Sequence, residues 1–230
     1  MSISKKQKKI KAEIDLNKSF DIKEAVSTLK KFSSSKFDET LDVALVLGID
    51  AKKSDQLVRG VVSLPKGMGK KVKIVAFVGE SESENAKKAG ADIIGDEKLI
   101  EDLKNGEKIN FDKCIASPEM MAKLGVLGQI LGPKGLMPNP KLGTVTKDVS
   151  QTIKKIKAGQ TEFKTDKAGI VQAAIGKVSF EVEEISNNIK YFYTELNKTK
   201  PTTSKGVFIK KMFLSSTMGP GLKINLNSVI

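Results

Sequence analysis

Apolar and polar residues alternate in two blocks that lie towards the two ends of the chain. ETLDVALVLGID (39–50) alternates with a period of two, which is typical of a strand with one buried face. FDIKEAVSTLKKF and FEVEEISNNIKYFYTELNKTK instead place apolar residues three and four positions apart, which predicts helices over about 21–31 and 180–200. Further strands are predicted at 58–65, 161–166, 169–176, 207–216 and 222–227.

The middle of the chain has a different pattern. KIVAFV (73–78) is continuously apolar, as in a strand that is covered on both faces. Predicted helices and strands then follow one another along the chain, and this alternation is typical of a parallel, Rossmann-like sheet with helices on both sides. The helices are predicted at 83–91, 96–106, 118–131 and 145–159, and the strands at 91–95 and 114–117.

Neither terminal block has enough strands to close a sheet by itself. We therefore expect residues 1–66 and 160–230 to form one discontinuous α+β domain, domain I, and residues 67–159 to form an inserted Rossmann-like, three-layer α/β/α domain, domain II. The overall fold class is α/β. The chain crosses between the domains at PKGMG and KAGQ, where Pro65, Gly67, Gly69 and Gly159 are the predicted hinge residues.

The charge favours a polyanionic partner. Forty Lys and Arg residues against 27 Asp and Glu residues leave a net charge of +13. Domain I holds 24 basic and 15 acidic residues and domain II holds 16 and 12, so domain I carries more of the excess. Lys5, Lys6, Lys8 and Lys9 are expected on a flexible N-terminal arm. A basic surface can also be an ordinary solvated face, so charge alone does not decide for nucleic acid.

Residues suited to catalysis or metal binding are scarce. The chain has no histidine, which removes the commonest general base and metal ligand, and its single cysteine, Cys114, cannot form an internal disulfide or a structural zinc site. We expect no catalytic residue, metal site or cofactor. The chain has no run of about 18 apolar residues for a membrane span and no apolar core behind its basic start, so we expect a cytoplasmic location.

The glycine-rich segments do not match a nucleotide site. GMGKK has lysine where a phosphate loop needs Ser or Thr, and no GxGxxG follows the first strand of domain II. On composition alone, KFDET (36–40) is an ordinary strand entrance and TMGPG (217–221) a hairpin loop. However, the aromatic ring of KFDET beside a lysine can also pack on ribose or base, and the methionine of TMGPG offers a flexible apolar surface. LGPKGLMPNPK (131–141) has three prolines among apolar anchors, which indicates a stiff, packed loop.

One long segment carries a family resemblance. LGQILGPKGLMPNPKLGTVT (127–146) resembles the signature of the universal ribosomal protein L1 family of the large subunit. KFDET, SDQLVRGVVSLPKGMGK (54–70), IKAGQTEFKTDKAGI (156–170) and TMGP resemble the same family in the same order. One departure is that 39 of the 40 basic residues are lysine, so contacts that relatives make through arginine would be point-charge contacts here.

The resemblance implies a non-catalytic protein of the ribosome whose domain I grips large-subunit rRNA. It further implies a mobile stalk that helps deacylated tRNA leave the exit site, repression of the protein's own operon mRNA through the same surface, and a monomer off the ribosome. The residues that it implies for rRNA and mRNA binding are Lys36, Phe37, Glu39, Thr40, Asp166, Lys167, Gly169, Thr217, Met218 and Gly219.

Two alternatives stay open from the sequence. The loop at 131–141 is either a packed connector or, through Lys134 and Lys141, a secondary RNA or tRNA contact. The competing function is a nucleotide-dependent enzyme built on the Rossmann-like middle domain.

Overall fold

The computed structural model describes residues 10, 12–15, 18–33, 35–105, 109–204 and 206–229, and the predicted basic arm at Lys5–Lys9 lies outside them. By their contacts the described residues form two compact units. Unit 1 comprises the residues up to Gly69 together with those from Thr161 onwards, and unit 2 is Lys70–Gln160. The two crossings lie three residues and one residue beyond the boundaries predicted from the sequence. No helix within the described ranges is long and apolar enough to cross a membrane.

The two units contain ten strands and seven helices among the described residues. The strands are β1 (Ser19–Phe20), β2 (Thr40–Leu47), β3 (Arg59–Ser63), β4 (Ile74–Phe77), β5 (Ile93–Ile94), β6 (Lys113–Ala116), β7 (Gln160–Lys164), β8 (Ile170–Lys177), β9 (Ile209–Ser216) and β10 (Gly221–Ile224). The helices are α1 (Ile22–Phe32), α2 (Glu80–Ala89), α3 (Glu97–Lys104), α4 (Pro118–Leu124), α5 (Gly128–Leu131), α6 (Val149–Lys157) and α7 (Val182–Lys198).

In its described part, unit 1 is a five-stranded sheet with helices α1 and α7 packed on one face. The strand order is β1-β10-β9-β2-β8, with β1 parallel to β10 and the other neighbours antiparallel. α1 buries Ala25, Val26 and Leu29 beside α7, which begins with a capping box between Glu181 and Glu184. A separate ribbon, β3 paired with β7, packs against the same core, where the ring of Phe163 meets Phe192 of α7 edge-on at 5.7 Å.

Unit 2 is a parallel three-stranded sheet covered on both faces. The order β5-β4-β6 means that the chain steps to one side of β4 and then crosses to the other. Successive residues of β4 point to opposite sides, so Ile74 packs with α2 and α6 while Val75 packs with α3 and α4. This is why the KIVAFV stretch is apolar throughout. The mixed α/β class predicted from the sequence is confirmed.

Several element boundaries differ from the prediction. The helix predicted over 118–131 is broken by a 3₁₀ turn at Gly125–Leu127. The helix predicted from 145 begins at Val149, because Val145 instead forms a parallel bridge with Ala116 at the edge of the sheet. The two-residue strand β1 was not predicted, since its pairing with β10 depends on a partner about 200 residues away in sequence.

The first predicted hinge segment is fastened to unit 1. The fully buried side chain of Asn188 accepts a hydrogen bond from the Lys66 backbone N–H at 3.2 Å and donates to the carbonyl oxygens of Gly67 and Ile175 at 3.3 and 2.9 Å. Gly67, Gly69 and Gly159 all have positive φ, of 65°, 69° and 105°. The glycines of the crossings are therefore required by local backbone geometry, whatever freedom of motion they permit.

Candidate nucleic-acid interface

Among the described residues, helices pack on only one face of the five-stranded sheet. Leu41, Val43 and Leu45 of β2 are buried in the core that the sheet shares with α1 and α7, and the alternating residues Thr40, Asp42 and Ala44 lie on the other face. We call this other side the open face. The strand registers add to it Val46, Ile170, Gln172, Ala174, Lys211, Phe213, Ser215 and Lys223.

Glu39, one of the predicted contact residues, is fully buried at one end of this sheet. Its carboxylate accepts hydrogen bonds from the Ser35 and Ser216 hydroxyls, both at 2.6 Å, and from the Met218 backbone N–H at 3.2 Å. Burial alone would raise the pKa of Glu39, but these hydrogen bonds outweigh it and lower the pKa to about 2. The prediction of a direct RNA contact through Glu39 is therefore corrected: its carboxylate shapes the loop that carries Met218.

The backbones at Thr40 and Thr217 are locked together beside this carboxylate. The Thr217 N–H donates to the Thr40 carbonyl at 3.1 Å, and the Thr40 N–H donates to the Thr217 hydroxyl at 3.0 Å. Gly219 follows in a tight turn, with its N–H on the Ser216 carbonyl at 3.1 Å. A Cβ added at Gly219 would collide with the Ser216 hydroxyl, so a larger residue would also disturb the Glu39 hydrogen bonds.

Two large apolar side chains project from this locked end of the sheet. Phe37 is 55% exposed and Met218 is 58% exposed, in a chain whose apolar side chains are mostly buried. Lys36 next to them is exposed as well. The structure therefore brings together Lys36, Phe37, Thr40, Thr217 and Met218, and we refer to them as the strand-end cluster.

The predicted contacts near the DKAG turn lie at the opposite end of the sheet. The Gly169 carbonyl accepts from the Leu47 N–H at 3.0 Å, seven residues along β2 from Thr40. At a rise of about 3.3 Å per residue this separates the turn from the strand-end cluster by about 23 Å. Asp166 and Lys167 are exposed, whereas Gly169 is buried with a φ of 76°. Gly169 is thus a turn-forming residue. The prediction that it contacts RNA directly is corrected for the same reason as that for Glu39, because the residue is buried.

Between these two ends lie residues of the open face that the sequence had not singled out. Asp42, Ala44, Gln172, Ala174 and Ser215 line a shallow groove of about 490 Å³. Burial raises the pKa of Asp42, and the nearby Lys177 ammonium opposes that rise. Alternation within each strand would have placed these side chains on one face of their own strand, but only the register shows that they are neighbours.

The chain is similar over almost its whole length to proteins of the large ribosomal subunit. Residues 29–220 match the model of the ribosomal protein L1p/L10e family. The chain is 51% identical over 227 residues to the large ribosomal subunit protein uL1 of Polynucleobacter asymbioticus, covering 99% of this chain and 97% of the relative. It is 49% identical to the protein of the same name from Mannheimia succiniciproducens and 51% identical to that from Pasteurella multocida, each over 99% of both chains.

The chain belongs to the ribosomal protein L1 family. The resemblance noted in the sequence is confirmed. The matched region includes the strand-end cluster, the DKAG turn and the whole of unit 2, so the family match covers both units. Among the described residues, no three His, Cys, Asp or Glu side chains come close enough together to hold a metal ion.

The loop at 131–141, which carries the clearest family signature, lies in unit 2 and is packed against its core. Leu131 is fully buried, and Leu136 and Met137 pack against the same core. Asn139 shapes the remainder, because its side chain accepts from the Lys141 N–H at 2.9 Å and its own N–H donates to the Thr144 hydroxyl at 2.8 Å. Lys134 and Lys141 are exposed on this rigid loop.

Proposed function

We propose that this protein is a structural constituent of the large ribosomal subunit in the cytoplasm and that it binds large-subunit rRNA directly through unit 1. The relatives that share about half of its residues over nearly their whole length are named large ribosomal subunit protein uL1. The net charge of +13 suits a polyanionic partner. No observation on the described part of the chain favours the nucleotide-dependent enzyme instead.

The strand-end cluster carries the proposal. Its two exposed apolar side chains can stack on bases or pack on ribose, and Lys36 can pair with phosphate. The loop beneath Met218 is held by a buried carboxylate and by paired backbones, so it loses little entropy on binding. RNA that begins at this cluster runs along the open face towards Lys167, about 23 Å away along β2.

The proposal extends to the finer roles of the family. The protein forms part of a mobile stalk near the tRNA exit site, assists the release of deacylated tRNA, and represses its own operon mRNA through the surface that grips rRNA. It is a monomer off the ribosome. Lys134 and Lys141, exposed on a rigid loop of unit 2, serve as a secondary RNA or tRNA contact. Because one surface serves rRNA and mRNA, a leader fragment of the operon mRNA should compete with rRNA for the protein.

Binding of in vitro transcribed large-subunit rRNA to the full chain and to Met218→Asp tests the main proposal. The substitution places a negative charge where we expect RNA to approach, and losing a polar contact set costs about 2–3 kcal/mol, or roughly 30- to 150-fold in affinity. Tyr191→Asp, at a 41% exposed position on α7, is the matched control and should bind within about threefold of the wild type. Equal affinities for all three proteins would refute the assignment of this surface.

Which of the two units binds rRNA can be tested separately. Unit 1 has its own core and carries the strand-end cluster and the DKAG turn, so replacing residues 70–160 by a short glycine linker should leave most of the rRNA affinity. Circular dichroism would report whether the shortened protein keeps its helices. A folded protein without rRNA affinity would contradict the proposal that unit 1 binds.

A further inference from the structure

A β-bulge at the end of β8 turns one lysine onto the open face. Thr40 lies opposite Lys177, but the register shifts by one residue between there and Ala174, so that Ile175 has no partner on β2. In a regular strand Lys177 would point to the opposite side from Ala174 and therefore into the core. The extra residue reverses this and brings Lys177 to the side of Thr40.

The ammonium group of Lys177 is held in a defined place. It donates to the Thr40 hydroxyl at 2.9 Å and to the Asp38 carbonyl at 3.2 Å. Asp38 is itself fixed, because its carboxylate accepts from the N–H and hydroxyl of Ser179 at 3.2 and 2.8 Å. An ammonium group has three N–H donors, so these two acceptors leave one donor for a ligand.

The stem of the side chain is packed as well. A Cβ added at Gly69 would lie 2.9 Å from Cγ of Lys177 and 2.9 Å from the Phe180 ring, so the lysine stem rests against the backbone there. A lysine that is free in solution loses rotamer entropy when it binds a phosphate. Lys177 has already lost part of that entropy on folding, and its contact with a ligand is correspondingly stronger.

We propose that Lys177 is a further RNA-contacting residue, whose third N–H donates to a phosphate oxygen beside the strand-end cluster. This deepens the proposed function and rests on it. It adds a fixed cation next to Thr40, where the sequence motif KFDET supplies only Lys36. The competing role is purely structural, in which the ammonium holds Thr40 and Asp38 in place and never meets RNA. The two roles differ in their dependence on salt, because only a phosphate contact releases counterions.

The test measures the affinity of full-length variants for in vitro transcribed large-subunit rRNA across a salt series. Lys177→Met keeps an unbranched stem but removes the charge, and Lys177→Gln keeps N–H donors for Thr40 and Asp38 without the charge. Both should bind about 10- to 100-fold more weakly at low salt, with the slope of log affinity against log salt reduced by about 0.7–0.9. Lys177→Arg should recover most of the affinity and slope.

The matched control is Lys190→Met, since Lys190 is an exposed lysine on α7, on the helical side of the sheet. It should leave both affinity and slope close to wild type. Affinity within twofold of wild type for Lys177→Gln would overturn the inference. So would weaker binding of both uncharged variants with an unchanged slope, because that is the result of a structural role. Failure of the wild type to bind rRNA would overturn the proposed function together with this inference.

Discussion

Glu39→Gln isolates the contribution of the buried carboxylate beneath the strand-end cluster. Glutamine has nearly the same shape but only one accepting oxygen, so it cannot accept from Ser35, Ser216 and the Met218 N–H as the carboxylate does. If its oxygen takes the place nearest Met218, its NH₂ faces Ser35, whose hydroxyl can rotate to accept. The bonds that remain are neutral and therefore weaker than those to a charge.

The pKa gives the magnitude of this effect. A carboxyl whose pKa falls from 4.5 to about 2 on folding stabilises the folded chain by about 3 kcal/mol at neutral pH. Because the folded pKa is the lower one, this stability is fully present above pH 4.5 and is lost as the pH falls towards 2. At pH 3 it has dropped to roughly half of its neutral value. We expect Glu39→Gln to cost about 2–3 kcal/mol at pH 7 and distinctly less at pH 3.

Urea unfolding at both pH values measures the difference, and the chain offers a selective probe. Its only two tyrosines, Tyr191 and Tyr193, both lie on α7, and it has no tryptophan, so intrinsic fluorescence reports on unit 1. Glu183→Gln is the control, since that side chain is 80% exposed and should show little change at either pH. A Glu39→Gln variant as stable as wild type at pH 7, or one whose deficit grows towards pH 3, would refute the reasoning.

Three further substitutions and one labelling experiment test other parts of the molecule. Gly125→Ala and Gly128→Ala should each stabilise unit 2 by about 0.5–1 kcal/mol, since both residues have helical φ/ψ and an added Cβ meets nothing within 4 Å; chemical denaturation followed by circular dichroism would show it. Burial raises the pKa of the Cys114 thiol to about 12, so a thiol reagent at pH 8 should react only as unit 2 unfolds, and fast labelling of the folded protein would contradict this. Asn188→Leu removes three hydrogen bonds to backbone groups and should destabilise unit 1 by about 3 kcal/mol or more in tyrosine-detected unfolding.

The candidate surface shows where sequence patterns suffice and where they do not. The order of motifs identified the family, and it singled out Phe37, Thr40, Thr217 and Met218, which the structure brings together. The order of motifs did not distinguish residues that could contact RNA from residues that hold those residues in place. Glu39 and Gly169 belong to the same motifs, yet both are buried. The motifs could not reveal this, because the burial of a residue depends on what packs around it and not on its type.

The sequence by itself determined the kind of most of the longer elements. A period of two or of 3.6 residues follows from backbone geometry, so helices such as Ile22–Phe32 and strands such as Thr40–Leu47 were predicted to within one to three residues. The uniform apolar run at 73–78 likewise required a strand covered on both faces. These features are local, and local chemistry is sufficient to specify them.

Only the tertiary structure decided which residues share a surface. Strand order and register set the distance between the DKAG turn and the strand-end cluster, and a single extra residue at Ile175 determined the side on which Lys177 emerges. A one-residue shift reverses every side chain beyond it, and no local pattern records such a shift. The open face exists because α1 and α7 pack on the same side of the sheet of unit 1, which is a property of the assembled chain.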